Sequence, residues 1–174
     1  GQLMEKMGYE VEYLPADSQS VYESIRIGEV HMALEVWEGP FATSFNAAMD
    51  KGGIIDAGTH DAITREDWWY PAYVADLCPG LPDWKALEKC YELFVTLDTA
   101  PNARYLDGPA EWLNDTRRIE ALGMRFTTVN AVTGATLWAE LESAARRKVP
   151  IVLFNWSPNF TDVVYGGAFI EFPE

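Results

Sequence analysis

Tryptophan is the residue whose number and placement most strongly suggest a chemical role. The chain has seven tryptophans among 174 residues. Trp37 and Trp156 each follow an apolar segment of strand length, residues 30–36 and 150–155. Because ligands of open α/β sheets bind beyond the carboxyl ends of the strands, both indoles are expected at the rim of a cleft. Large aromatic side chains also pack beneath their own loops, but two tryptophans in equivalent places favour a binding role.

The other tryptophans divide into candidates for binding and candidates for the core. Trp112 lies in the first turn of a predicted helix that follows a Gly-Pro loop, so we expect it to face a ligand. Trp84 and Trp138 lie on apolar helical stripes, which predicts core packing. Trp68 and Trp69 are neighbours in a predicted strand, so at most one of them can face a cleft; we take Trp69 as the candidate.

Several indoles around one cavity in an acidic protein indicate a site for a cation. A quaternary ammonium group has no N–H to donate, and aromatic faces attract it at about 0.5–2 kcal/mol per good contact. Glu35, Glu38 and Glu111 flank the candidate indoles and would add negative potential or accept a ligand hydroxyl. For any single glutamate, a solvated position at the rim is the competing interpretation.

Composition disfavours several other classes of protein. Thirteen Lys and Arg against 27 Asp and Glu give a net charge of −14, which repels nucleic acid and anionic lipid. The longest apolar run, residues 149–154, is far below the ~20 residues that span a bilayer, so we expect no membrane span in this chain. No cofactor is expected. Cys78 and Cys90 lack metal-site spacing, and the sequence leaves open whether they form a disulfide.

An enzymatic role has little support in the sequence. The only histidines are His31 and His60, and no nucleophile elbow, phosphate loop or zinc-protease motif occurs. We therefore expect no catalytic residues. A carbohydrate-binding protein that stacks sugars on the same tryptophans is the main alternative, and a regulatory domain built on the same binding fold is another. Carbohydrate-binding modules are usually all-β, whereas helix and strand patterns alternate here.

Two βαβ units are predicted, which makes the chain an α/β protein. The first has strands over residues 10–14 and 30–36, with a helix between them that opens with a capping box of Ser20 and Glu23. The second has strands over residues 124–129 and 150–155, with a helix over residues 134–148 that is capped by Thr133.

The remaining segments are expected to form a mixture of helices, strands and loops. Helices are predicted from Pro40 to the Gly52-Gly53 pair, from the Leu81-Pro82-Asp83 segment onward, and over residues 109–122. Strands are predicted over residues 53–58 and 68–75, a loop over residues 101–108, and a β-rich tail over residues 160–174.

Three segments, residues 30–37, 105–112 and 150–158, resemble the substrate-binding proteins of glycine betaine, proline betaine and choline ABC importers. The Trp-Ser-Pro motif that begins at Trp156 is the most specific part. The resemblance implies a type II periplasmic-binding-protein fold, whose two lobes close over the ligand. It also implies a methylated-amine ligand (glycine betaine, proline betaine, choline or trimethylamine oxide), an ABC permease as partner, and a location in the periplasm or on the extracellular face of a bacterial inner membrane.

Carried over by residue, the resemblance assigns Trp37, Trp112 and Trp156 to the family's aromatic cage. Phe160 stands where many members have a second aromatic residue after the motif, and it is a weaker π donor. The chain is shorter than family members, so we expect an incomplete first lobe. The implied boundaries are residues 1–76 for part of lobe I, 77–158 for lobe II, and 159–174 for a segment that returns toward lobe I.

Overall fold

The computed structural model describes residues 1–14, 16, 20–37, 42–112 and 117–173. Contacts divide the chain into two compact units, which we describe separately. Unit 1 is Gly1–Thr59 and unit 2 is His60–Glu174. In the part of the chain that is described, no helix is both long and apolar enough to cross a bilayer.

Unit 1 contains three helices: α1 (Gln2–Lys6), α2 (Val21–Arg26) and α3 (Ala42–Lys51). Helices α2 and α3 pack through Tyr22 and Phe45, whose rings meet edge to face with centroids 5.5 Å apart. The predicted helix that ends before Gly52 is confirmed in α3, while its proposed first residues, Pro40 and Phe41, lie outside the described residues.

The first predicted βαβ unit is wrong, because the described residues of unit 1 form no strand. The apolar segment of residues 30–36 is largely exposed; Leu34, for example, is 74% exposed. A segment of strand-like sequence forms a strand only where a neighbouring strand supplies hydrogen-bond partners, and the predicted strands at residues 10–14 and 53–58 do not form either. The capping box is also wrong: Ser20 makes no side-chain cap, and Glu23 instead accepts two hydrogen bonds from Arg26.

Unit 2 is a mixed sheet with helices around it. Its strands are β1 (Arg65–Tyr70), β2 (Ala103–Asp107), β3 (Phe126–Asn130), β4 (Leu153–Ser157) and β5 (Ala168–Phe169). Its α-helices are α4 (Tyr73–Leu77), α5 (Trp84–Lys89), α6 (Arg118–Ala121), α7 (Gly134–Arg147) and α8 (Phe160–Val164), with 3-10 turns at Tyr91–Phe94 and Ala110–Trp112.

The sheet has the strand order β3-β2-β4-β1-β5. Strand β2 is parallel to both β3 and β4, whereas β1 is antiparallel to β4 and β5. The carboxyl ends of β2, β3 and β4 therefore meet at one edge of the sheet. The lobe boundaries implied by the resemblance stay a prediction.

The second βαβ unit is confirmed as β3, α7 and β4, but β2 lies between its two strands. The prediction of a loop over residues 101–108 is therefore wrong. Strand β2 is only five residues long and is bounded by Pro101 and the Gly108-Pro109 pair, which are typical of loops. Burial of Ala103 and Tyr105 against the sheet overrides those local signals. The β-rich tail is also largely wrong, since it forms α8 and a β5 of two residues.

The core of unit 2 lies around β1. Two adjacent tryptophans of this strand are both buried: Trp68 is 2% exposed and Trp69 is 1% exposed. Trp68 stacks on Tyr105 with ring centroids 3.8 Å apart.

Cys78 and Cys90 form a disulfide with their Cα atoms 5.9 Å apart, which resolves the alternatives that the sequence left open.

Replacing Thr133 with alanine is expected to lower the free energy of unfolding by about 1 kcal/mol, because α7 loses its N-cap. The Thr133 hydroxyl accepts a hydrogen bond from the Thr136 amide at 3.2 Å, and the Thr136 hydroxyl accepts one from the Thr133 amide at 2.9 Å. Urea denaturation measures the loss. Thr133→Ser keeps the hydroxyl and serves as the control; equal stability of the two variants would contradict the role of the cap.

Candidate functional site

Five aromatic side chains meet near the carboxyl edge of the parallel strands in unit 2, and we call them the aromatic cluster. They are Trp112, Trp138, Phe154, Trp156 and Phe160. Trp156 is the centre, because its ring lies 5.6 Å from that of Trp112, 5.1 Å from that of Trp138 and 6.0 Å from that of Phe154. The three indoles are half-buried, so part of each remains open to a ligand.

Trp156 is positioned by the end of β4 and the start of α8. The side chain of Asn155, which is fully buried, donates a hydrogen bond to the Thr161 hydroxyl at 3.0 Å and accepts one from the Asn159 amide group at 3.1 Å. Asn159 caps α8 by accepting from the Phe160 amide. Because both of these asparagines are bonded to neighbouring elements, the backbone that carries Trp156 is held on either side.

Trp112 is positioned by the turn that follows β2. The buried Asp107 carboxylate accepts a hydrogen bond from the Gly108 amide at 2.8 Å, and Asn130, at the end of β3, donates to the Gly108 carbonyl at 2.8 Å. The Trp112 ring lies against Gly108, where a Cβ atom would overlap it, and a Cβ atom at Gly134 would lie 3.5 Å from it. The absence of a side chain at Gly108 therefore lets the Trp112 indole lie against the backbone of this turn.

Trp138 is the binding candidate that the sequence analysis missed. The prediction that Trp138 is a core residue is incomplete, because its half-buried ring contacts both Trp156 and Phe160. The buried stripe of α7 consists of Leu137, Leu141 and Ala144. Trp138 lies about 100° around the helix from Leu137 and about 60° from Leu141, and this offset is the signal that could have identified it.

The remaining predicted site residues are Trp37, Glu38, Trp69 and Glu111. The Trp69 indole lies in the core of the sheet. Trp37 is half-buried in unit 1, and Glu111 is exposed beside Trp112. Glu38 lies outside the described residues. The roles of these four residues in binding a ligand stay predictions.

Glu66 is an acidic residue at the cluster that the sequence analysis did not identify. In the antiparallel pair of β1 and β4, Glu66 lies directly opposite Trp156. Although the residue is exposed as a whole, partial burial of its carboxylate raises the pKa of Glu66. Its proximity to Trp156 depends on strand pairing across 90 residues of sequence, so no local signal could have revealed it.

The geometry suits a ligand that presents methyl groups and positive charge. The indoles meet edge to face or at steep tilts, so their π faces point in different directions. Indole faces with several orientations suit contact with a methylated ammonium group, whereas a sugar ring prefers one flat aromatic surface. Among the residues that the structure describes, no group of three or more metal-ligating side chains is placed to hold a metal ion.

Comparison with known proteins gives a family match over the whole chain. The model of the OpuAC family, described as the substrate-binding domain of ABC-type glycine betaine transport systems, matches residues 1–174. The trimethylamine N-oxide-binding protein of Pelagibacter ubique (strain HTCC1062) is 47% identical over 181 residues, which cover 99% of this chain and 57% of that protein. The chain thus spans little more than half the length of this relative.

Solved structures match at low sequence identity and show the fold. A glycine betaine, L-proline ABC transporter binding protein (ProX) from Borrelia burgdorferi matches with a TM-score of 0.68 at 18% identity, over 99% of this chain and 62% of that one. A choline-binding protein in complex with choline matches with a TM-score of 0.63 at 16% identity, over 97% of this chain and 57% of that one. The type II periplasmic-binding-protein fold expected from the sequence is confirmed.

Proposed function

Since the chain belongs to the family of substrate-binding domains of ABC-type glycine betaine transport systems, we propose that it captures a small methylated amine for an ABC permease. The observation that carries this proposal is the aromatic cluster, in which the Trp112 and Trp156 rings lie 5.6 Å apart at the carboxyl edge of the sheet. The family is one of transport proteins, and the proposal includes no catalytic step.

The proposed mechanism of capture is cation–π attraction. A trimethylated nitrogen spreads its positive charge over its methyl groups and offers no N–H, so it cannot donate a hydrogen bond to a carbonyl or carboxylate oxygen and is instead attracted to indole faces. Trp112, Trp138 and Trp156 are half-buried, and the hydrophobic residues around them lower the local dielectric constant, which strengthens each contact. We propose that Trp37 contributes a further indole, and its own alanine variant would test that role.

Trimethylamine N-oxide comes first among the candidate ligands, ahead of glycine betaine, proline betaine and choline. Support comes from the 47% identity to a protein named for binding trimethylamine N-oxide. The binding proteins named for betaine and choline are below 20% identity to this chain, so they support the methylated-amine class and not one member of it.

We propose that the protein works outside the cytoplasm, in the periplasm or on the extracellular face of a bacterial inner membrane, and delivers its ligand to the transmembrane permease there. Support comes from the family and from the Cys78–Cys90 disulfide, because disulfides persist in oxidising compartments.

Titration of the intrinsic tryptophan fluorescence tests the proposed function. The ligands are trimethylamine N-oxide, glycine betaine, proline betaine and choline, with glucose as a neutral sugar control. We expect a saturable change with methylated amines, at the lowest concentration for trimethylamine N-oxide, and no change with glucose. Silence toward every amine from protein that circular dichroism shows to be folded would overturn the proposal. A saturable response to glucose alone would favour carbohydrate binding.

A further inference from the structure

Glu66 lies next to the central indole of the aromatic cluster. In the register of β1 and β4 it is directly opposite Trp156. Residues that face each other in an antiparallel pair have Cβ atoms about 4.5–5.5 Å apart and project to the same side of the sheet. A ligand held against the Trp156 ring would therefore lie within a few ångströms of the Glu66 carboxylate.

The charge of Glu66 is not neutralised within the described part of the chain. There, its carboxylate has neither a hydrogen bond nor an ion pair, and partial burial alone raises its pKa. The adjacent Asp67 projects to the opposite side of the strand, since successive strand residues alternate. Asp67 accepts a hydrogen bond from Arg118 and lies 3.8 Å from Arg65, so both cations are directed to Asp67 and not to Glu66.

An unpaired carboxylate affects different methylated amines in different ways. It attracts the positive charge that all of them carry, and it accepts a hydrogen bond from a ligand hydroxyl. It also repels a carboxylate on the same ligand, as in glycine betaine or proline betaine.

We infer that Glu66 is a specificity-determining residue of the aromatic site, one that favours methylated amines without a carboxylate over betaines. This inference rests on the proposed function and deepens it by ranking two carboxylate-free cations, choline and tetramethylammonium, above the betaines. The indoles bind the methylated nitrogen of every candidate, and Glu66 discriminates by what else the ligand carries.

The test uses tetramethylammonium and glycine betaine, because they share the methylated nitrogen and differ in the carboxylate. Isothermal titration calorimetry gives both dissociation constants for the unaltered protein, Glu66→Gln and Glu92→Gln. Glu92 is the matched control, because it is an exposed glutamate on the turn that precedes β2, at the amino end of the parallel strands. We expect Glu66→Gln to weaken tetramethylammonium binding about tenfold and to leave glycine betaine unchanged or bound more tightly. Glu92→Gln should change neither by more than about twofold.

The outcomes separate the inference from the proposed function. Equal shifts for both ligands, or no shift for either, overturn the role of Glu66 while methylated-amine binding by the unaltered protein keeps the proposed function intact. Failure of the unaltered protein to bind any methylated amine overturns both. Glu66→Asp keeps the charge on a shorter stem and should retain the preference for tetramethylammonium. Loss of that preference in a folded Glu66→Asp variant would count against charge as the cause.

Discussion

Replacing Trp156 with alanine is expected to raise the dissociation constant for trimethylamine N-oxide about 30-fold. This corresponds to about 2 kcal/mol, the value of one well-desolvated cation–π contact. Trp156 has the largest expected effect because its ring contacts Trp112, Trp138 and Phe154. Its loss therefore removes one π face and also the support that orients the neighbouring indoles.

Two further variants separate a π contact from a general loss of packing. Trp156→Phe keeps an aromatic face with a weaker quadrupole, so its dissociation constant should lie between those of the unaltered protein and Trp156→Ala. Trp84→Ala removes an indole that packs against the core outside the aromatic cluster, and its affinity should stay within about twofold of the unaltered protein. Calorimetry measures all three, and an unchanged affinity in Trp156→Ala would exclude Trp156 from the site.

The parts of unit 2 that could be predicted are those with strong local signals. Helix α7 was predicted to within one residue, because its apolar stripe and the Thr133 cap both lie within the segment. The placement of Trp156 at the carboxyl end of a parallel strand was also predictable, since it follows from βαβ connectivity. Strand β2 was not, because its burial depends on β3 and β4, which come later in the chain.

The parts of the site that could not be predicted depend on contacts between distant segments. Glu66 and Trp156 become neighbours only through the register of β1 and β4. A tryptophan on an amphipathic helix is usually a core residue. Only the position of Trp138 around α7, offset from Leu137 and Leu141, shows that it differs from such a residue. The prediction of strands in unit 1 failed for the opposite reason: segments of strand-like sequence were present, but the described residues of unit 1 form no sheet that they could join.

Removing the Cys78–Cys90 disulfide is expected to lower the free energy of unfolding by about 3 kcal/mol. The bond joins residues 12 apart in sequence, and closing a loop of this length removes that much conformational entropy from the unfolded chain. The double variant Cys78→Ala/Cys90→Ala gives the loss by urea denaturation. The unaltered protein under reducing conditions is the control, because it loses the same bond without losing the buried sulfur of Cys78.

Removing the disulfide should lower the stability of the protein without lowering its affinity for the ligand. The disulfide ties α4 to the residue that ends α5, and α5 is joined by Glu88 to Arg125, just before the amino end of β3. The aromatic cluster lies near the carboxyl edge of the same strands, so the native double variant should bind trimethylamine N-oxide within about twofold of the unaltered protein. Trp156→Ala should show the converse, a large loss of affinity with a smaller loss of stability. The half-buried Trp156 ring buries less apolar area than the indole of a core tryptophan, so its removal costs less stability. If the double variant instead lost affinity in proportion to stability, the two edges of the sheet would be coupled, and the aromatic cluster could not be treated as a locally organised site.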